Sequence, residues 1–128
     1  MNTIINHLKS HKGVCEYKIN LTRKESYELF FVKGKLETVR CTDTCDKVVT
    51  VYVDHGEFKG DSQFYVYPST TREELAELIE KAVEKASLLN NKMYTLPEGE
   101  TGEYEVESNF SAYTLPALAG QIADAVFA

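Results

Sequence analysis

Residues 47–89 read KVVTVYVDHGEFKGDSQFYVYPSTTREELAELIEKAVEKASLL, and three consecutive signals in that stretch decide the fold. The run at 48–53 is almost continuously apolar and rich in valine, as expected of a strand covered on both faces. Asp54-His55-Gly56-Glu57 is a hairpin signal, after which Phe58 and the segment 64–67 return as a strand. Thr70-Thr71-Arg72-Glu73 then reads as a capping box. In it the threonine oxygen accepts the Glu73 amide while the glutamate side chain reaches back. Beyond it Leu75, Leu78, Ile79, Ala82, Val83, Ala86 and Leu89 recur at i, i+3, i+4, i+7, i+8, i+11 and i+14. That spacing is one apolar stripe of a helix, with Glu74, Glu77, Glu80, Lys81, Glu84 and Lys85 on the wet side and Asn90-Asn91 as its end. The stripe needs a partner surface, and a sheet is the only one of adequate size that the sequence offers.

Upstream, alternation at Tyr17, Ile19 and Leu21 predicts a strand with one buried face. The segment 27–32 predicts another. Lys33-Gly34-Lys35 forms a tight turn, and Leu36, Val39 and Cys41 mark a third strand. With 48–53 and 58–67 this makes an antiparallel meander of about five strands. Asn2 or Thr3 caps a first helix over 3–12, carrying Ile4, Ile5 and Leu8 and stopped by Gly13. The expected class is therefore α+β, an antiparallel sheet with helices packed on it.

The segment 93–111 has five glutamates (Glu98, Glu100, Glu103, Glu105, Glu107) and reads as a solvated loop. Its acidic part, 98–107, is alternatively a strip for basic peptide. Near the end, Thr114 caps a helix with Pro116 just inside its start, and Leu115, Leu118, Ile122 and Val126 share one face. Because that helix ends apolar and uncapped, the expectation is a domain over 1–114 followed, at 115–128, by the start of a helix leading toward a further carboxy-terminal domain.

Composition narrows the function. The chain has 128 residues, 43% of them apolar, with fourteen basic against twenty acidic residues and a net charge of −6. No stretch gathers the cations into the stripe that nucleic acid demands. No apolar run is long enough to span a bilayer, and the amino terminus lacks the layout of a secretory signal. The expectation is a cytoplasmic protein with no direct nucleic-acid or membrane partner.

No constellation of catalytic residues emerges. His7 and His11 stand four apart on the first helix and could face one metal, but Leu8-Lys9-Ser10 separates them and no glutamate serves as a general base. His55 falls in a turn. Cys15, Cys41 and Cys45 are an odd set, read as reduced, structural thiols. Asp43 and Asp46 beside Cys41 and Cys45 are a turn composition before they are a ligand set. Ser10, Ser26, Ser62 and Ser69 sit in no nucleophile elbow, and no phosphate-binding glycine loop is present. The expected assignment is no catalytic, cofactor-binding or metal-binding residue within the chain.

The order of segments carries a resemblance. YKINLTRKESYELFFVKGKLETV at 17–39, KVVTVYVDHGEFKGDSQFYV at 47–66 and STTREELAELIEKAVEKASLL at 69–89 resemble, in sequence, the amino-terminal domain of the TldD/PmbA family, also called modulators of DNA gyrase. The valine strand lacks the glycine and arginine often carried there. The resemblance, over 16–114, implies the amino-terminal domain of a cytoplasmic, metal-dependent peptidase that acts on unfolded peptides as a homo- or heterodimer. It further implies that zinc is held by an H-E-x3-H helix and a cysteine in a carboxy-terminal domain. The present domain would then shape the substrate cleft or the dimer. A reading from another class is a stand-alone peptide- or protein-binding module, with an exposed strand edge and Tyr65 and Tyr67 as aromatic anchors.

Overall fold

The structure is a computed structural model that describes residues 1–99 and 101–128. Glu100 of the acidic segment lies outside the described residues. The elements run α1 (Asn2–Ser10), β1 (Glu16–Val32), β2 (Lys35–His55), β3 (Phe58–Val66), α2 (Arg72–Ser87), β4 (Asn91–Lys92), a 3-10 turn (Phe110–Ala112) and α3 (Leu115–Phe127). The strands form one sheet in the order β1-β2-β3-β4, so the α+β class holds.

Among the described residues the strand count is four rather than five, and the reason is physical. Thr22-Arg23-Lys24-Glu25-Ser26 and Thr42-Asp43-Thr44-Cys45-Asp46 are polar, but neither contains glycine or proline. Polarity puts a strand in water; it does not break one. The two strands expected before Gly34 therefore merge into β1, and the two expected after it merge into β2. The Cys41–Asp46 stretch lies inside β2 rather than in a turn. The link between β1 and β2 is Lys33-Gly34, both with positive φ (50° and 73°), the conformation that a two-residue hairpin needs. β4, two residues long, carries no sequence signal; it pairs with Phe58 and Lys59 of β3.

The chain divides into two compact units. One comprises 1–23 and 45–98, the other 24–44 and 99–128.

In the first unit β2 and β3 pair antiparallel, with Val49 opposite Phe64 and Val51 opposite Ser62. Val49, Val51, Phe64 and Val66 turn to one face and meet Leu75, Ile79 and Ala82 of α2 and Ile4 and Leu8 of α1 in one core. α2 can come this close because β3 carries a glycine beneath it. A Cβ on Gly60 would stand 1.7 Å from the Ala86 carbonyl oxygen. The capping box exists one residue later than expected. Thr71 Oγ1 accepts the Glu74 amide, and Glu74 accepts the Thr71 amide at 2.8 Å. Thr70 instead accepts the Tyr67 amide and closes the preceding turn. α2 ends at Ser87, leaving Leu89 outside the stripe and half exposed. α1 starts without a side-chain cap and ends at Ser10, because His11 is extended.

In the second unit, a hairpin formed by 24–44 carries ring contacts to the chain's last segment. Phe31 meets Phe127 at 5.5 Å between ring centroids, and Tyr27 meets Phe110 at 6.2 Å. Arg40 lies over Phe30 and pairs with Glu28, and the Ser26 and Thr42 hydroxyls are hydrogen-bonded. α3 is capped as expected, with Thr114 Oγ1 accepting the Ala117 amide. Residues 101–109 contain no helix or strand.

Candidate functional site

Along β3 the even positions Gly60, Phe64 and Val66 face α2. By strand alternation Lys59, Asp61, Gln63 and Tyr65 therefore occupy the opposite face. Two features that involve residues of that face stand out.

The first is Lys59, only 2% exposed and the one charged residue buried among those described. A buried ammonium requires compensation. Lys59 Nζ donates to Glu16 at the start of β1 and pairs with Asp54 at 3.4 Å, and the Tyr94 ring covers it with the nitrogen 5.4 Å from the centroid. Tyr52, directly opposite Asp61, meets Tyr94 edge-on. The Glu16 hydrogen bond, joined by Asp54, holds the Lys59 ammonium above the ordinary lysine range against desolvation. Burial, reinforced by the negative field of Asp61, raises both Tyr52 and Tyr94. The cluster is thus a charged lysine locked between carboxylates and two neutral phenols. Its lysine and both phenols favour the form that donates, so none of the three is a poised base. Nor does its lysine have the lowered pKa of a nucleophile. Its effect is to fasten the segment after α2 onto the sheet, helped by Asn91 donating to Asp61 at 3.3 Å and His55 donating to the Leu89 carbonyl at 2.8 Å.

The second is a groove of about 500 Å³ at the end of β3, bounded by Tyr65 and Tyr67 on one side and by Glu74, Glu77, Leu78 and Lys81 of α2 on the other. The tyrosine rings lie nearly parallel (11°) with centroids 6.3 Å apart. Glu77 and Lys81 form an i,i+4 pair at 3.6 Å.

The residues singled out by sequence do not converge. α1 ends before His11, so His7 and His11 share no helix face. The Gly13 amide donates to His11 Nδ1, which leaves Nε2 as the protonated nitrogen, donating to Glu80 at 2.7 Å. His55 is occupied by Leu89. Cys15, Cys41 and Cys45 are free but exposed, so they do not pack the core as structural thiols would. Among the described residues no three His, Cys, Asp or Glu side chains are grouped to hold a metal ion. This donor set does not fit a metallopeptidase centre, and no hydrolytic step can be derived from it. Of the serines, Ser10 donates to the His7 carbonyl and Ser26 bonds Thr42; Ser62 lies in β3 and Ser69 lines the groove. No described helix is long and apolar enough to cross a membrane.

The Lys59 cluster escaped sequence reasoning. Alternation places Lys59 beside Asp61, but its cover comes from Tyr94, 35 positions away in a segment with no periodicity. The one usable signal is Phe58-Lys59-Gly60, a lysine interrupting an apolar return strand.

Neither the curated proteins nor the solved structures compared with the chain yield a match. A family model described as PmbA/TldA metallopeptidase domain 1 matches residues 17–86, from the start of β1 to the last turn of α2. That match takes in the long hairpin, β3 and the capped helix together and covers more than half of the sequence, so this chain belongs to the PmbA/TldA metallopeptidase domain 1 family.

Proposed function

We propose that the chain is the non-catalytic amino-terminal domain of a metal-dependent peptidase that acts on unfolded peptides, where it shapes the substrate cleft or the dimer. The observation that carries this reading is the match to a first metallopeptidase domain over 17–86. It is supported by the commitment of His11 and His55 to structural partners. In this reading zinc and the catalytic residues belong to a carboxy-terminal domain, helix α3 leads toward it from the domain at 1–114, and the parent is a cytoplasmic homo- or heterodimer.

Two measurements test it. An immunoblot of the native protein should show a species of several hundred residues; a band at the size of 128 residues would overturn the reading. Purified chain supplied with zinc should leave an unfolded substrate such as reduced casein intact. Metal-dependent hydrolysis by the pure chain contradicts the assignment.

A further inference from the structure

The outer edge of β3 is unprotected where the groove lies. β4 covers only Phe58 and Lys59, so among the described residues no strand pairs with 61–66 on that side. Natural edge strands are usually blunted by proline, lysine or a bulge. The sequence Asp61-Ser62-Gln63-Phe64-Tyr65-Val66 has neither proline nor lysine, and it pairs with β2 residue for residue without a bulge. Its one charge, Asp61, is engaged with Asn91. α2 covers the sheet face opposite the one bearing Tyr65. A space bounded by both α2 and Tyr65 therefore lies at this edge, toward the end of β3.

We infer that the β3 edge binds an extended, arginine-containing polypeptide segment by strand addition, with Tyr65, Tyr67, Glu74 and Glu77 receiving its basic side chain. Strand addition supplies main-chain hydrogen bonds, and alternate side chains of the added strand enter flanking pockets. The groove offers two exposed phenol faces, 51% and 60% accessible, and two carboxylates against one ammonium. A guanidinium satisfies both kinds of partner at once, stacking on an aromatic face while its fork meets a carboxylate. The charge excludes the competing occupant, a second copy of the chain. Two copies joined along β3 would bring together two α2 helices, each with five glutamates against three cations, and like charges so placed repel. The inference stands on β3 and α2 alone and is independent of the peptidase reading.

The test uses the 128-residue chain and the blocked peptide Thr-Val-Arg-Val-Arg-Val-Thr. Titration should shift the amide resonances of 61–70 and 74–81 and leave α1 unmoved. Three changes should each weaken binding roughly tenfold or more: the double variant Tyr65→Ala/Tyr67→Ala, the charge reversal Glu77→Lys, and N-methylation of alternate peptide amides. The last leaves the protein untouched, so its result does not depend on whether a variant folds. Equal binding of the N-methylated peptide, equal binding of a peptide with glutamate in place of arginine, no shifts at about 1 mM peptide, or dimerisation along β3 without peptide would each overturn the inference.

Discussion

The two units of this chain solve the problem of apolar surface in different ways. In residues 1–23 and 45–98 nine apolar side chains from two strands and two helices close into one core. In residues 24–44 and 99–128 the apolar side chains are as plentiful, yet Ala119 is the only buried one among those described. Phe30, Val32, Leu36, Val39, Phe110 and Phe127 all remain between 41% and 54% exposed. Both units are held in shape by hydrogen bonds and turns, but among the described residues only the first has an interior. Stability should therefore be concentrated in the first unit, and substitutions in the second should be felt mainly where its surface meets something else.

The largest effect falls on the core. Ile79, on the buried face of α2, is 1% exposed, and Ile79→Ala should destabilise by about 4 kcal/mol through lost burial and an unfilled cavity. A stability loss below a quarter of that in urea unfolding would break the comparison, because the first unit would then lack a rigid core. Gly60→Ala probes the same interface by addition. Its methyl group would meet the Ala86 carbonyl, a backbone atom that cannot swing aside, and α2 must move at a cost of about 3 kcal/mol. If the variant is as stable as the parent protein in thermal melts, the close approach of α2 to β3 is wrong.

The Lys59 cluster contributes less because its carboxylates are partly wet, with Glu16 30% and Asp54 42% exposed. Lys59→Met should cost about 2 kcal/mol at neutral pH, the range of a charge-assisted hydrogen bond. The pH dependence sharpens this. Lys59 has a raised pKa in the fold, so its contribution is complete below the ordinary lysine value of about 10.4. It is lost as pH rises through the raised value, since only the folded state still holds the proton there. The gap between the parent protein and Lys59→Met should close above about pH 10.4. Tyr52 and Tyr94, also raised, make both proteins less stable with alkali from about pH 10. A gap that stays constant to pH 12 would mean that the ammonium is not what matters at this position.

What was legible in the sequence follows the same division. The α2 stripe, the two hairpin turns and the Thr114 cap are local patterns, and each stands within a residue or two of its expected place. The capping box slipped by one because Thr70-Thr71 and Glu73-Glu74 present the same spacing twice, and only the turn at Tyr67 chooses between them. The long arms of β1 and β2 were hidden because solvated strand and loop share a polar composition. Lys59 was hidden because its partners arrive from three separate segments, which no periodicity reports. A comparison of Thr71→Ala with Thr70→Ala isolates the cap: the first should lose about 1 kcal/mol and the second clearly less, read from denaturant midpoints.

The smallest expected effect is the most informative about the second unit. Tyr104 and Val106 are 92% and 87% exposed, far beyond the half-exposure of the neighbouring aromatic residues, and they sit in a stretch without helix or strand. A side chain already in water gives up almost no burial when it is trimmed, so Tyr104→Ser should move the stability of the isolated chain by less than about 0.5 kcal/mol. The same substitution made in the longer protein proposed above separates two meanings of that exposure. If the tyrosine is equally silent there, the stretch is a solvated connector. A loss of 1 kcal/mol or more in the parent, with none in the isolated chain, would show that a surface outside these 128 residues covers it. The second unit's missing interior would then be completed by another part of the protein.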